Sequence, residues 1–170
     1  MAEDPFPSEA VLAACADLPV LEFAPGSLLL NEGAHQTDLF ILLEGTVVIL
    51  KGTVEVARIG ERAAIFGEMS ALLNIPCSAT VRALDTVRAH HSTEAAALLA
   101  RRPDLAWHTA RTLALRLHHA TTYLADIKAQ YADHEGHFGM MDRVLDSLMQ
   151  HQETDLSESR SDPTPDDPRL

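Results

Sequence analysis

Apolar and polar residues alternate in short runs through the first half of the chain. Through the second half they step by threes and fours. A strand starting at Val20 leads into Pro25-Gly26, a residue pair that type II turns favour. Leu28 to Asn31 is the next strand, and Gly33 opens another turn. Asp38 to Leu43 is apolar, Glu44-Gly45 turns the chain, and Thr46 to Leu50 continues as Thr-Val-Val-Ile-Leu. Lys51-Gly52 reads as a two-residue hairpin loop. Its partner, Thr53 to Ile59, sets Val54, Val56 and Ile59 against Glu55 and Arg58. Ser78-Ala79-Thr80-Val81 makes a further strand, and Asp85 to His90 completes the set. Many short β-branched strands with Gly-containing turns between them predict an antiparallel jelly roll or barrel.

Helical spacing brackets this region. Ser8 is placed to cap a helix over Glu9–Asp17 whose Val11, Leu12 and Cys15 share one face. Cys15 reads there as a small buried apolar residue. Ser92 or Thr93 caps a helix from Glu94 to Ala100, and Pro103 suits the first position of a longer one. On that longer helix Ala106, Ala110, Leu113, Leu117, Ala120, Leu124, Ile127 and Tyr131 step by four and three, a heptad seam. A strict seam predicts a parallel homodimer through residues 106–131. The alternative is that the chain covers the seam itself. Beyond it, residues 132–150 are amphipathic, with Gly136 and Gly139 near the start and Phe138, Met141, Leu145 and Leu148 on one face. They suit a docking surface for a protein partner. The Glu-, Asp-, Ser- and Pro-rich residues 151–170 read as a disordered acidic tail.

Composition narrows the partners. The formal net charge of −12 argues against nucleic acid, whose phosphates need Lys and Arg. No apolar run approaches the length of a membrane span. The acidic start of the chain lacks the basic and apolar regions of a signal peptide, so the expected location is cytoplasmic. Two cysteines, Cys15 and Cys77, do not make a disulfide framework. The nine histidines include the adjacent pairs His90-His91 and His118-His119, whose members diverge on their elements, and His134 with His137, three apart. None assembles a convincing metal set.

Candidate chemistry concentrates in Ile65–Ala83. Gly67 and Glu68 follow bulky Phe66, Met69 to Leu73 suit little more than one helical turn, and Pro76 ends it. A short helix entered through Gly presents backbone N–H groups at its positive end, an arrangement that accepts an anion. Glu68 beside it suits a sugar hydroxyl.

Phe66-Gly67-Glu68, Leu72-Leu73, Pro76 and Ser78-Ala79-Thr80-Val81 resemble the phosphate-binding cassette of cyclic-nucleotide-binding domains. That pattern is roughly Phe-Gly-Glu, a short gap, Leu-Leu, then Pro-Arg-Ser/Ala-Ala-Thr-Val. The resemblance extends over about residues 10–131 through Phe23-x-x-Gly26, Gly33, Leu39-Phe40-Ile41, Gly45-x-Val47-x-Ile49 and Gly60. It implies cyclic AMP or cyclic GMP as ligand. Glu68 would hold the ribose 2′-hydroxyl, while the N–H groups of Met69, Ser70 and Ala79 and the Ser78 hydroxyl would meet the phosphate. Thr121 and Thr122 fall close to where activator-type members offer hydroxyls to the purine, and those activators also dimerise through the long helix. Cys77 stands where the family carries its phosphate-binding Arg. Losing one charge-assisted pair to phosphate costs about 1.5–3 kcal/mol, roughly ten- to hundredfold in affinity. Arg82, on the outgoing strand, is the nearest candidate to replace that charge.

The predicted organisation is a helical lead-in over 1–19 and a mainly β jelly roll over 20–91, with its cassette at 66–81. Helices over 92–131, the 132–150 extension and the 151–170 tail follow. Regulators of this family carry a helix-turn-helix after the long helix, but the residues after 131 are too few and too acidic for one. The expected function is a non-enzymatic cyclic-nucleotide sensor acting through a protein partner. The alternatives are a dimeric scaffold with a ligand-free cassette, or a redox sensor at Cys77.

Overall fold

The computed structural model describes residues 7–130 together with 143, 144 and 147. The chain divides into two compact units, Met1–Leu113 and Ala114–Leu170. The lead-in 1–6, most of 131–150 with its amphipathic face, and the 151–170 tail lie outside the described residues.

Among the described residues, the first unit is built on eight strands in two antiparallel sheets. The strands are β1 (Val20–Phe23), β2 (Leu28–Leu30), β3 (Leu39–Glu44), β4 (Val47–Lys51), β5 (Val54–Ile59), β6 (Ile65–Phe66), β7 (Thr80–Ala83) and β8 (Val87–Ser92). One sheet has the order β1-β8-β3-β6 and the other β2-β7-β4-β5, the jelly-roll arrangement expected from the short strands and turns. Three helices belong with them: α1 (Ser8–Ala14), α2 (Glu68–Leu73) and α3 (Ala95–Arg101). A fourth, α4 (Pro103–Gln130), starts in this unit at Pro103, as its fixed φ favours.

The run Leu39-Phe40-Ile41-Leu42 shows why β3 reads as continuously apolar. Side chains on a strand alternate between faces, and both faces of β3 are covered. Leu39 and Ile41 join Ile65 beneath Val11, Leu12 and Cys15 of the N-terminal segment and Leu98, Leu99 and Leu105 of the later helices. Phe40 and Leu42 face into the roll with Leu29, Leu30, Val47, Phe66, Val81, Ala83, Val87 and Ala89. Cys77 belongs to this inner cluster, which puts the cassette directly on the core.

Polar ties fasten the helices to the roll. Arg102 donates to the Ala14 carbonyl at the end of α1 and to the Asp17 carboxylate at 2.5 Å. Arg62 bonds Glu9 at 3.1 Å and the Leu43 carbonyl at 3.0 Å.

Five local expectations need correction. Pro7, not Ser8, is the N-cap of α1, and Ser8 is its first residue. The β4–β5 loop is Gly52-Thr53, one residue later than expected, because Lys51 pairs with Val54. Val54 and Val56 are not half-buried but 64% and 62% exposed. There Ile49 faces Ala57 while Leu50 faces Glu55, leaving Val56 as the extra residue of a bulge on the edge strand. The last strand starts at Val87, after a turn at Asp85 whose carboxylate accepts the Thr46 N–H at 2.7 Å. Finally, Glu94 is the N-cap of α3, with no side-chain cap bond, and Ser92 Oγ accepts the Glu94 N–H instead.

Candidate functional site

The cassette begins where β6 stops. Gly67 takes the left-handed conformation (φ +95) that a side chain would resist, and the chain turns directly into the six-residue α2. The Ala71 N–H closes the first turn on the Gly67 carbonyl at 3.2 Å. Asn74, also left-handed, ends the helix, as a small polar residue can without a glycine.

The predicted site residues separate by exposure. Phe66 is buried and pairs across β3 with Phe40. Glu68 is buried, at 3% exposure, while Met69 beside it lies at 39%. Ser70 is buried and donates from Oγ to the Gly67 carbonyl at 3.1 Å. Cys77 is buried at 4% exposure; its Sγ lies 3.8 Å from Ser70 Oγ and 4.0 Å from Gln36 Oε1. Its main chain is fixed on both sides, by donation to the Ala34 carbonyl at 2.9 Å and acceptance from the Gly33 N–H at 2.8 Å. Ser78 is exposed and Ala79 partly buried. Glu68, Ser70 and Cys77 thus turn inward, and Ser78 stays at the surface.

Thr121 and Thr122 sit on α4 within the second unit. Thr121 is partly buried and donates from Oγ1 to the Leu117 carbonyl one turn back, at 2.8 Å. Thr122 is exposed.

Arg82 does not compensate for Cys77. It is exposed, opposite Val48 on one side and the exposed Leu28 on the other. It acts electrostatically on Glu55, whose carboxyl is held below its ordinary value first by the Arg58 hydrogen bond and only slightly by Arg82. Its neighbours on β7, Val81 and Ala83, are the residues that face the core.

A polar cluster missed in the sequence closes the cassette's exit. Lys51 Nζ donates to the Ser78 carbonyl at 2.6 Å and pairs with Glu32 Oε1 at 2.6 Å. Glu32 Oε2 accepts the Gly52 N–H at 2.7 Å, and the Glu32 N–H donates to Thr80 Oγ1 at 3.0 Å. The Lys51 hydrogen bond, followed by that of Gly52, holds the Glu32 carboxyl below its ordinary value. One signal for this cluster was legible: Lys51 continues the alternation of Val47 and Ile49.

A second pair lies at the cassette's entry. His91 Nε2 is 2.6 Å from Asp38 Oδ1, and its ring stacks on Phe40 with centroids 4.8 Å apart. His90 turns the other way, with Nδ1 3.3 Å from the Leu18 carbonyl, as adjacent strand residues must. Among the described residues, no group of three or more His, Cys, Asp or Glu is placed to hold a metal ion. Among the same residues, no helix is long and apolar enough to cross a membrane.

Comparison with known proteins follows this geometry. The family model of the cyclic nucleotide-binding domain matches residues 20–96. The chain is similar to the catabolite activator protein of Thermus thermophilus, with 25% identity and a TM-score of 0.60. That match covers 75% of this chain and 61% of the activator, so the chain spans about three fifths of the regulator. A cyclic nucleotide-binding domain from Methylobacillus flagellatus matches with 23% identity and a TM-score of 0.58, covering 74% of this chain and 76% of that one; it supports the fold alone. No curated protein matches the chain. Through residues 20–96, just under half of its length, the chain is similar to the cyclic nucleotide-binding domain family.

Proposed function

We propose that this protein is a non-enzymatic sensor whose cassette takes a cyclic nucleotide, cyclic AMP or cyclic GMP, and whose long helix reports the binding to a protein partner. The observation that carries this reading is the inward turn of the cassette. In a segment that matches the family model, Gly67 adopts the left-handed entry and delivers Glu68 and Ser70 to buried positions. In this reading Glu68 accepts a ribose hydroxyl, and Ser78 with the Ala79 N–H meets the phosphate. Signalling requires that ligand bind two conformations of the protein with different affinity.

The long helix supports assembly as a homodimer. On α4, Ala110, Leu117 and Ala120 of the heptad seam are exposed, and Ala106, Leu113, Leu124 and Ile127 are partly buried. The face of α4 buried in the first unit is a different one, carrying Leu105 and Thr109.

Calorimetry of the purified protein with cyclic AMP and cyclic GMP tests the sensor reading. Micromolar binding is the expected outcome. Cys77→Arg should strengthen it by roughly tenfold, since a guanidinium adds a charged, two-pronged match to phosphate. If neither the natural protein nor Cys77→Arg binds at millimolar ligand, the sensor reading fails. The scaffold reading then stands, favoured by the inner position of Cys77 among apolar side chains and by the exposed seam.

A further inference from the structure

One cation, Lys51, is hydrogen-bonded to the cassette itself. β4 and β7 pair as Val47–Ala83, Val48–Arg82, Ile49–Val81 and Leu50–Thr80. Val47, Ile49, Val81 and Ala83 all join the cluster inside the roll, whereas Arg82 is exposed. By strand alternation Lys51 follows Val47 and Ile49 on the same side of β4, at the exposed end of that row. The row therefore runs Val47, Ile49, Lys51, with its charge at the end nearest the cassette.

Both contacts of the ammonium bear on that position. Nζ donates to the Ser78 carbonyl at 2.6 Å, which brings it to the two residues read above as donors to the ligand's oxyanion. Its other partner is the Glu32 carboxylate, itself an oxyanion, at 2.6 Å. Among the described residues no Lys or Arg is buried, so the roll interior supplies no cation of its own. An acidic chain that takes up a phosphate gains from a cation close by.

We propose that Lys51 supplies, from β4, the positive charge that the cassette lacks at Cys77, and so selects a phosphate-bearing ligand over its nucleoside. Glu32 holds the ammonium in the free protein, and the phosphate replaces that carboxylate on binding. A lysine suits the exchange, because its compact ammonium on a flexible stem can turn from one oxyanion to the other while keeping the Ser78 contact. This rests on the sensor reading, and the two can fail separately.

The test is calorimetry with cyclic AMP and with adenosine, at two salt concentrations, on the natural protein and on Lys51→Met, Lys51→Arg and Glu32→Gln. Lys51→Met should weaken cyclic AMP roughly three- to tenfold, the range open to a charge that is partly in solvent. It should leave adenosine unchanged and flatten the salt dependence. Lys51→Arg should keep most of the affinity, and Glu32→Gln should strengthen it by removing the competing carboxylate.

Unchanged cyclic AMP affinity in Lys51→Met would overturn the proposal and leave the sensor reading intact. An equal loss for both ligands, or a Glu32→Gln that weakens binding as Lys51→Met does, would also overturn it, reducing the Lys51–Glu32–Ser78 contacts to a structural latch. A natural protein that binds adenosine as tightly as cyclic AMP would show no selection for phosphate and would sink the proposal directly. Failure of the natural protein to bind either ligand would overturn the proposal, and the sensor reading would fall with it only if Cys77→Arg also bound nothing.

Discussion

Gly67 lies against the main chain of Asp38 so closely that a Cβ at position 67 would stand 2.0 Å from the Asp38 carbonyl oxygen. The same Asp38 carries the carboxylate that meets His91. The cassette's first residue is therefore seated on backbone, which cannot swing aside as a side chain can.

Gly67→Ala should consequently be costly. The left-handed φ of +95 and the contact with Asp38 act together. Left-handed strain adds about 1 kcal/mol and overpacking about 1–3 kcal/mol, so the loss should be on the order of 2–4 kcal/mol. Urea unfolding of the variant measures it. A midpoint equal to that of the natural protein would mean that the β6–α2 turn shifts freely, contrary to this packing.

The Asp17–Arg102 pair predicts an acid-sensitive tie at α1. The hydrogen bond from Arg102 is the largest influence on Asp17 and holds its carboxyl below the ordinary value of 3.8. A lowered carboxylate value means that folding favours the ionised form. The contribution is therefore full above about pH 4 and fades as pH falls through the lower folded value. Asp17→Asn should be less stable than the natural protein at pH 6 and lose less on going from pH 5 to pH 2.5. Parallel curves of melting temperature against pH would contradict the assignment.

The two thiols should resist modification in the folded protein. Burial is the largest cause that pushes Cys15 up to about 11, outweighing the nearby Arg102, so little thiolate forms at pH 8. Cys77 is shielded by its 4% exposure. A thiol-reactive dye at pH 8 should label neither site within minutes under native conditions and both in denaturant. Rapid native labelling of Cys77 would revive the redox alternative.

The seam on α4 predicts a concentration-dependent assembly. Leu117, 50% exposed, stands near the middle of the heptad run. Leu117→Glu should shift sedimentation from dimer to monomer while leaving the far-ultraviolet circular dichroism of the roll unchanged. A natural protein that sediments as a monomer at all concentrations would remove the dimer proposal.

Several features were legible because they are local. Residue spacing located every strand but the two-residue β6, the Pro25-Gly26 turn, the helix start at Pro103 and the Gly67 entry to the cassette, since backbone preferences there act over a few neighbours. Phe66, Gly67, Glu68 and Ser70 could be singled out by motif. The motif did not say that Glu68, Ser70 and Cys77 would be buried while Met69 and Ser78 would not.

The rest required the pairing of distant strands. Val56 was misread because it is the extra residue of a bulge, which interrupts the alternation there, and apolar content carries no record of it. Arg82 looked like a substitute for the missing Arg until its register opposite Val48 turned it outward. Lys51 looked like a loop residue until that register brought it to Ser78, 27 positions away. The sequence by itself determined that this chain makes a roll with a glycine-entered cassette lacking its usual Arg. Tertiary structure decided which charges stand beside that cassette, because register between strands far apart in sequence sets the facing of every side chain at once.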